Sequence, residues 1–226
     1  MSPRPVALAW SGGKDSSLTL AALQADPDVE VVALLTTVTR DYDRVSMHGV
    51  RRDVLHAQSR ALDLPLFESS IPALASNPAY QEAFAGTLTE IQQRFPGVDH
   101  LAFGDLFLAD VRNYRENFLT SLRWTPLFPL WGRDTTKLAW EFVEAGYRAV
   151  LTCVDTCQLS ADFAGRDYDA ELLGALPAGT DLCGERGEFH TCVYDGPIFE
   201  QPLALTSGAR IRRDDRFEYC DFMLRP

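Results

Sequence analysis

The chain has 226 residues, long enough for one well-buried α/β domain and a small appendage. Its 46% hydrophobic and 23% charged residues are ordinary for a globular protein, and no apolar run approaches the ~20 residues of a membrane span. The net charge of −11 sets the average surface against phosphate-rich polymers, so neither nucleic acid nor a membrane is an expected partner.

Met1 to Pro5 leads straight into an apolar run broken by Ser-Gly-Gly-Lys-Asp, which reads as a strand and not as a signal peptide. The cysteine count is odd, and with no secretory signal this points to a reducing cytoplasm. Val6 to Trp10 is the first strand, and Lys14 to Ala25 is a helix with Leu18, Ala21, Ala22 and Ala25 on one face. Val29 to Thr37 is β-branched and apolar, a buried strand. Val50 to Leu62 is helical, and Leu64 to Glu68 is a short strand. A long helix over 78–95 opens with Asn77 as cap and Pro78 as first residue. His100 to Phe103 is a strand ending at Gly104-Asp105, followed by a helix over 111–122 and a second helix over 135–145. Tyr147 to Val154 is expected as the last core strand.

This alternation predicts an α/β fold with a doubly wound, mostly parallel sheet, in which ligands bind outside the carboxyl ends of the strands. The Ser11 segment, Gly104-Asp105 and Cys153 to Gln158 all fall at such ends. After about Thr156 the rhythm changes to one short helix, a Gly-rich polar stretch and strand-like residues. Residues 157–226 therefore read as a small α+β subdomain beside a main domain over 1–156.

Ser11-Gly12-Gly13-Lys14-Asp15-Ser16 lies between a strand and a helix start. Glycines let backbone approach a phosphate, the helix end favours an anion, Lys14 supplies a point charge, and Asp15 can hold Mg²⁺. The Gly-x-x-x-x-Gly-Lys-Ser/Thr spacing of the Walker loop is absent. The segment resembles the Ser-Gly-Gly-x-Asp-Ser loop of the N-type ATP pyrophosphatases. That resemblance implies a Rossmann-like fold of the adenine nucleotide α-hydrolase type, use of ATP with Mg²⁺, and adenylation with loss of pyrophosphate.

Further segments narrow the match: Ser46-Met47-His48-Gly49-Val50-Arg51, Gly104-Asp105 with 112–116, Pro126 to Asp134, and Gly184-Glu185-Arg186-Gly187-Glu188-Phe189-His190-Thr191 followed by Asp195-Gly196-Pro197. Together they resemble the diphthine–ammonia ligase family, in the form of a bacterial-type subgroup, over nearly the whole chain. The resemblance implies an ATP-binding domain over 1–156, an acceptor subdomain over 157–226, and a carboxylate, on a small molecule or a protein, that is converted to an amide with ammonia. The family's Glu-Gly-Gly-Glu motif is here Glu185-Arg186-Gly187-Glu188, which sets a bulky cation beside the expected acceptor pocket.

Lys14, Glu185, Glu188 and His190 are the expected catalytic residues, with Glu188 as the base that receives a proton from the amine. Ser11, Gly12, Gly13, Lys14, Asp15, Ser16, His48, Arg51, Gly104 and Asp105 are expected to bind the cofactor, with Asp15 on the metal. Arg51 is expected at the α-phosphate or the substrate carboxylate, against a plain surface ion pair. Arg112, Arg115 and Glu116 share a helix side and read equally as a salt-bridged face. Cys153 and Cys157 are expected to be buried and inert, and His56 and His100 to lack partners. The competing readings are a tRNA-modifying pyrophosphatase, disfavoured by the acidic charge, and an ATP-binding module without catalysis. Homo-oligomerisation stays open.

Overall fold

The computed structural model describes residues 2–225. In chain order the elements are β1 (Arg4–Ala9), α1 (Lys14–Gln24), β2 (Val29–Thr39), β3 (Arg44–Val45), α2 (Arg52–Ala61), β4 (Leu66–Ile71), α3 (Asn77–Arg94), β5 (His100–Ala102), α4 (Ala109–Ser121), β6 (Thr125–Leu127), α5 (Thr135–Glu144), β7 (Arg148–Asp155), α6 (Ala170–Ala175), β8 (Phe189–Asp195), β9 (Leu205–Arg213) and β10 (Phe217–Leu224). Strands β4, β2, β1, β5 and β6 pair in parallel in that order, and the short β3 pairs antiparallel to the end of β2. The expected α/β, mostly parallel, doubly wound architecture is the one observed. The chain leaves β1 for β2 on one side and returns to β5 on the other, so a topological switch point opens at the carboxyl end of β1.

The strand pleat sends alternate residues of β1 to opposite layers. Val6, Leu8 and Trp10 join one core with α1, α2, α5 and the second sheet, while Ala7 joins the other with Phe84, Leu88 and Ile91 of α3 and Leu119 of α4. The sheet is buried on both faces, which is why β1 and β2 read as apolar runs and not as alternating ones. Local capping fixes the helix starts. The Asp134 carboxylate accepts from the Lys137 amide at 3.0 Å and the Asp169 carboxylate from Leu172 at 2.8 Å. At α3 the cap is Ser76, whose hydroxyl accepts from Ala79, and the expected cap Asn77 is the first helical residue.

The second sheet is antiparallel, in the order β8-β7-β10-β9. It claims β7, the strand expected to close the parallel sheet. A strand buried on both faces is continuously apolar whichever way its neighbours run, so the pattern of β7 does not reveal its partners. Both sheets share one core, because Val150, Leu151 and Val154 of β7 and Phe189 of β8 pack in the same cluster as Leu8 of β1 and Trp10 just after it.

Phe142 of α5 shows how tightly that cluster is filled. It is fully buried, stacks on Tyr147 with ring centroids 4.8 Å apart, and meets the edge of Tyr168 at 5.4 Å. Phe142→Ala is expected to lower the unfolding free energy by about 3–5 kcal/mol, read from urea transitions followed by circular dichroism.

Candidate active site

The segment after β1 makes a tight turn at the switch point. Gly12 has φ +79°, a left-handed conformation that favours glycine, and a β-carbon there would lie 2.7 Å from the Gln58 side chain. The Gly12 carbonyl faces away from the turn and accepts from Gln58 Nε2 at 3.0 Å and from the Val193 amide at 2.8 Å. The Gly13 amide instead donates to Ser11 Oγ at 3.3 Å. Helix α1 starts at Lys14, whose amide donates to Thr191 Oγ1 of β8 at 3.1 Å, a cap supplied from the other sheet. The hydroxyls of Ser16 and Ser17 donate to the Gly13 carbonyl at 2.8 and 3.0 Å.

Lys14 is buried, and its ammonium lies 2.8 and 2.9 Å from the two carboxylate oxygens of Asp15. Burial works against this charge, but Asp15, with weaker help from Glu185, outweighs it and keeps the ammonium protonated. Burial also pushes the Asp15 carboxyl up, against the pull of Lys14.

These residues line a cavity of about 1000 Å³. Ser11, Gly13, Lys14, Asp15, Ser16, His48, Gly104, Asp105, Glu185 and His190 all face it, so the structure brings most of the sequence-predicted set together. Gly12 turns its carbonyl away and stays outside the lining. Gly104 has a packing reason for lacking a side chain, because a β-carbon would meet the Asp15 backbone at 3.0 Å. Asp105 pairs with Arg115 Nε at 2.8 Å, and Arg115 lies over the Phe103 ring at 4.2 Å. Arg112 and Glu116 form an i,i+4 pair at 2.7 Å, so only Arg115 of that helix side turns to the cavity.

His48 and His190 bring their rings to 4.3 Å. Burial, with Lys14 nearby, lowers His190 to about 4, and burial with His190 and Lys14 holds His48 well below the ordinary imidazole range. Both rings are therefore neutral at neutral pH, and His48 Nδ1 is buried without a partner. Glu185 Oε1 accepts from the Leu106 amide at 2.8 Å. Burial pushes Glu185 up to about 7, against the pull of that amide, with Asp15 adding to the rise.

Two expected site residues are spent elsewhere. Glu188 does not line the cavity; its buried carboxylate accepts from the amides of Asp181 and Arg186, each at 3.0 Å, and ties its own loop together. Arg51 is likewise outside the lining; Asp221 of β10, itself in the lining, holds it at 2.8 Å through Nη2 and also takes Arg44 at 2.6 Å. The Asp195 carboxylate accepts from the next amide, that of Gly196, at 2.8 Å. Cys153 is buried as expected, but Cys157 is exposed. His56 has a partner after all, Glu68 at 3.0 Å, and His100 pairs with Asp99. Among the described residues no group of three or more His, Cys, Asp or Glu side chains converges to hold a metal ion.

Sequence reasoning missed Gln58 and Thr191. Gln58 carried a signal: it sits on the apolar face of α2 with Val54, Leu55 and Ala61, where a polar residue needs buried partners. Thr191 ends a segment that carries the resemblance, but its role as a cap was not legible, since its partner is 177 positions away.

Two family models cover most of this frame: the diphthamide synthase N-terminal domain matches residues 4–120 and the diphthamide synthase C-terminal domain matches 134–222. The chain belongs to the diphthamide synthase family. Curated relatives named diphthine–ammonia ligase include one from Schizosaccharomyces pombe, 29% identical over 87% of this chain and 35% of the relative. Another, from Danio rerio, is 27% identical over 94% of this chain and 91% of the relative, and the Homo sapiens protein is 24% identical over 90% and 83%. The chain thus spans about a third of the yeast relative and most of the two vertebrate ones.

Arg186, the bulky cation expected beside the acceptor pocket, does not line the cavity. Gly184 and Gly187 take φ +68° and +82°, which turns Glu185 inward while Arg186 points outward, exposed and over the Phe107 ring at 5.6 Å.

The raised Glu185 has a linkage consequence. Its folded pKa of about 7 lies above the ordinary glutamate value of 4.5, so the native state favours the protonated form. The stability this carries is full below about 4.5 and is lost as pH rises through about 7. Glu185→Gln is therefore expected to stabilise the fold more at pH 8 than at pH 4.5, read as the difference in urea midpoints between variant and wild type.

Proposed function

We propose that this chain is an ATP-dependent ligase that joins ammonia to a carboxylate, releasing AMP and pyrophosphate. The acceptor carboxylate belongs to a small molecule or a protein, with diphthine as the family's precedent. The observation that carries this reading is one cavity holding three things at once. They are a glycine turn with a buried cation, a carboxyl poised near neutral pH, and two neutral imidazoles.

The turn and Lys14 bind the phosphates that leave as pyrophosphate, with the Gly13 amide and the hydroxyls of Ser11 and Ser16 beside them. Lys14 exchanges Asp15 for phosphate oxygens. Asp15, a hard oxygen ligand facing the cavity, is the residue that would hold Mg²⁺, an ion usually bound by one or two carboxylates together with phosphates. When bound, the ion neutralises charge on the phosphates. A carboxylate oxygen of the acceptor attacks the α-phosphorus, and its bond to the pyrophosphate bridge breaks. Ammonia then adds to the acyl carbon with its lone pair, and the nitrogen must shed a proton as AMP departs. Glu185 receives that proton, since a base near the working pH suits the task. His48 and His190, in the same cavity, remain uncharged, so they do not repel an approaching ammonium in the way a second cation would.

This assignment moves the base from Glu188 to Glu185, because the Glu188 carboxylate is occupied by two backbone amides. The division into an ATP-binding part over 1–156 and an acceptor part over 157–226 is carried forward in the same reading, as is a cytoplasmic location; no described helix is long and apolar enough to cross a membrane.

Incubation with ATP, Mg²⁺, ammonia and carboxylate acceptors should yield AMP and pyrophosphate, and ADP as the product would sink the reading. Glu185→Gln should bind ATP within a few-fold of wild type in calorimetry while amide formation falls by roughly 10². Wild-type turnover in that variant would remove Glu185 from the chemistry.

A further inference from the structure

We propose that Gln58 is the positioning residue of the phosphate turn: it fixes the Gly12–Gly13 peptide so that its amide, and not its carbonyl, faces the ligand. The inference rests on the turn being the phosphate site.

Gln58 is fully buried in α2, behind the turn and on the side away from the cavity. Its amide has three close partners. Trp10 Nε1 donates to Oε1 at 2.9 Å, and Nε2 donates to the Gly12 carbonyl at 3.0 Å and to the Val193 carbonyl at 2.6 Å. An indole N–H only donates and a carbonyl only accepts, so the chemistry of the partners allows one orientation of the side chain. Both Nε2 protons are used.

The consequence follows from peptide geometry. In a planar trans peptide the C=O and the following N–H point in opposite directions. Tying the Gly12 C=O to Gln58 and Val193 at the back forces the Gly13 N–H to the front. There it meets Ser11 Oγ at 3.3 Å, a long bond to a group that lines the cavity and one that a phosphate oxygen can replace. Glycines on both sides of this peptide give it freedom to rotate. The flipped peptide would aim a carbonyl oxygen at the anion, and would leave Gln58 Nε2 with one acceptor fewer. Gln58 thus acts through the backbone and touches no substrate.

The test compares ATP, pyrophosphate and adenosine in calorimetry, on wild type, Gln58→Met and Gln58→Glu. Methionine keeps length and removes the donors; glutamate keeps the acceptor for Trp10 and removes the donors. Each variant is expected to weaken ATP and pyrophosphate by about tenfold or more, the scale of a buried hydrogen bond left unmade, and adenosine by no more than about twofold. Unchanged pyrophosphate affinity, or equal losses for all three ligands, would overturn the proposal, the second outcome marking a packing residue. Should neither variant fold, the wild-type protein decides. On saturation with pyrophosphate its Gly13 amide proton resonance should move downfield, and a resonance that stays in place would refute the amide-forward turn. A wild-type protein that binds neither ATP nor pyrophosphate would instead overturn the ligase reading itself.

Discussion

The Gly12 carbonyl is the point on which the site depends. Two donors from different parts of the chain meet on it, the Gln58 side chain of α2 and the Val193 amide of β8. Beside it, Thr191 of β8 caps the first amide of α1. The turn is therefore not a loop resting on one sheet. It is a seam between the parallel sheet, which supplies β1, and the antiparallel sheet, which supplies β8. Buried polar groups tolerate little loss of partners, so the seam holds the sheets in one relative position while it holds the turn. A turn assembled this way is preorganised, and little ordering would remain to be done on binding.

The charge distribution follows the same logic. In a chain of net charge −11, a buried cation facing a cavity is a local exception. Lys14 is that exception, and burial makes it effective: a cation in low dielectric interacts strongly with whatever faces it. A buried ammonium also needs a partner, and Asp15 fills that role. In the proposed reaction the same carboxylate would take the divalent ion, so the pair would open as phosphate and metal enter together.

The local parts of this design were legible in the sequence. A strand, a glycine pair, a lysine and a helix start lie within a dozen residues, and each has a reading that does not depend on distant neighbours. The alternation of strands and helices likewise carried the parallel sheet. What the pattern could not carry was pairing across long separations. The partner of Arg51 is 170 positions away, so nothing near it distinguishes a phosphate ligand from a tie between α2 and β10. The neighbours of β7 were hidden for a different reason, since apolar burial on both faces looks alike in either sheet.

The two glutamates of the Gly-rich loop are the sharpest case. Glu185 and Glu188 are three residues apart, chemically identical, and flanked by the same glycines. The fold separates them by counting donors. Glu188 is buried with both oxygens met by backbone amides, one from Asp181 and one from Arg186, so it serves as the internal brace of the loop. Glu185 has one close amide, from Leu106, and shares its surroundings with the carboxylates of Asp15 and Asp105. Amides favour a carboxylate's charged form; burial and like charge disfavour it. The braced residue thus has no free oxygen to offer a substrate, whereas the one left short of donors is pushed toward neutral pH and faces the cavity. Two environments three residues apart separate a braced carboxylate from one that faces the cavity, and the positive φ of Gly184 and Gly187 lets adjacent side chains face opposite ways.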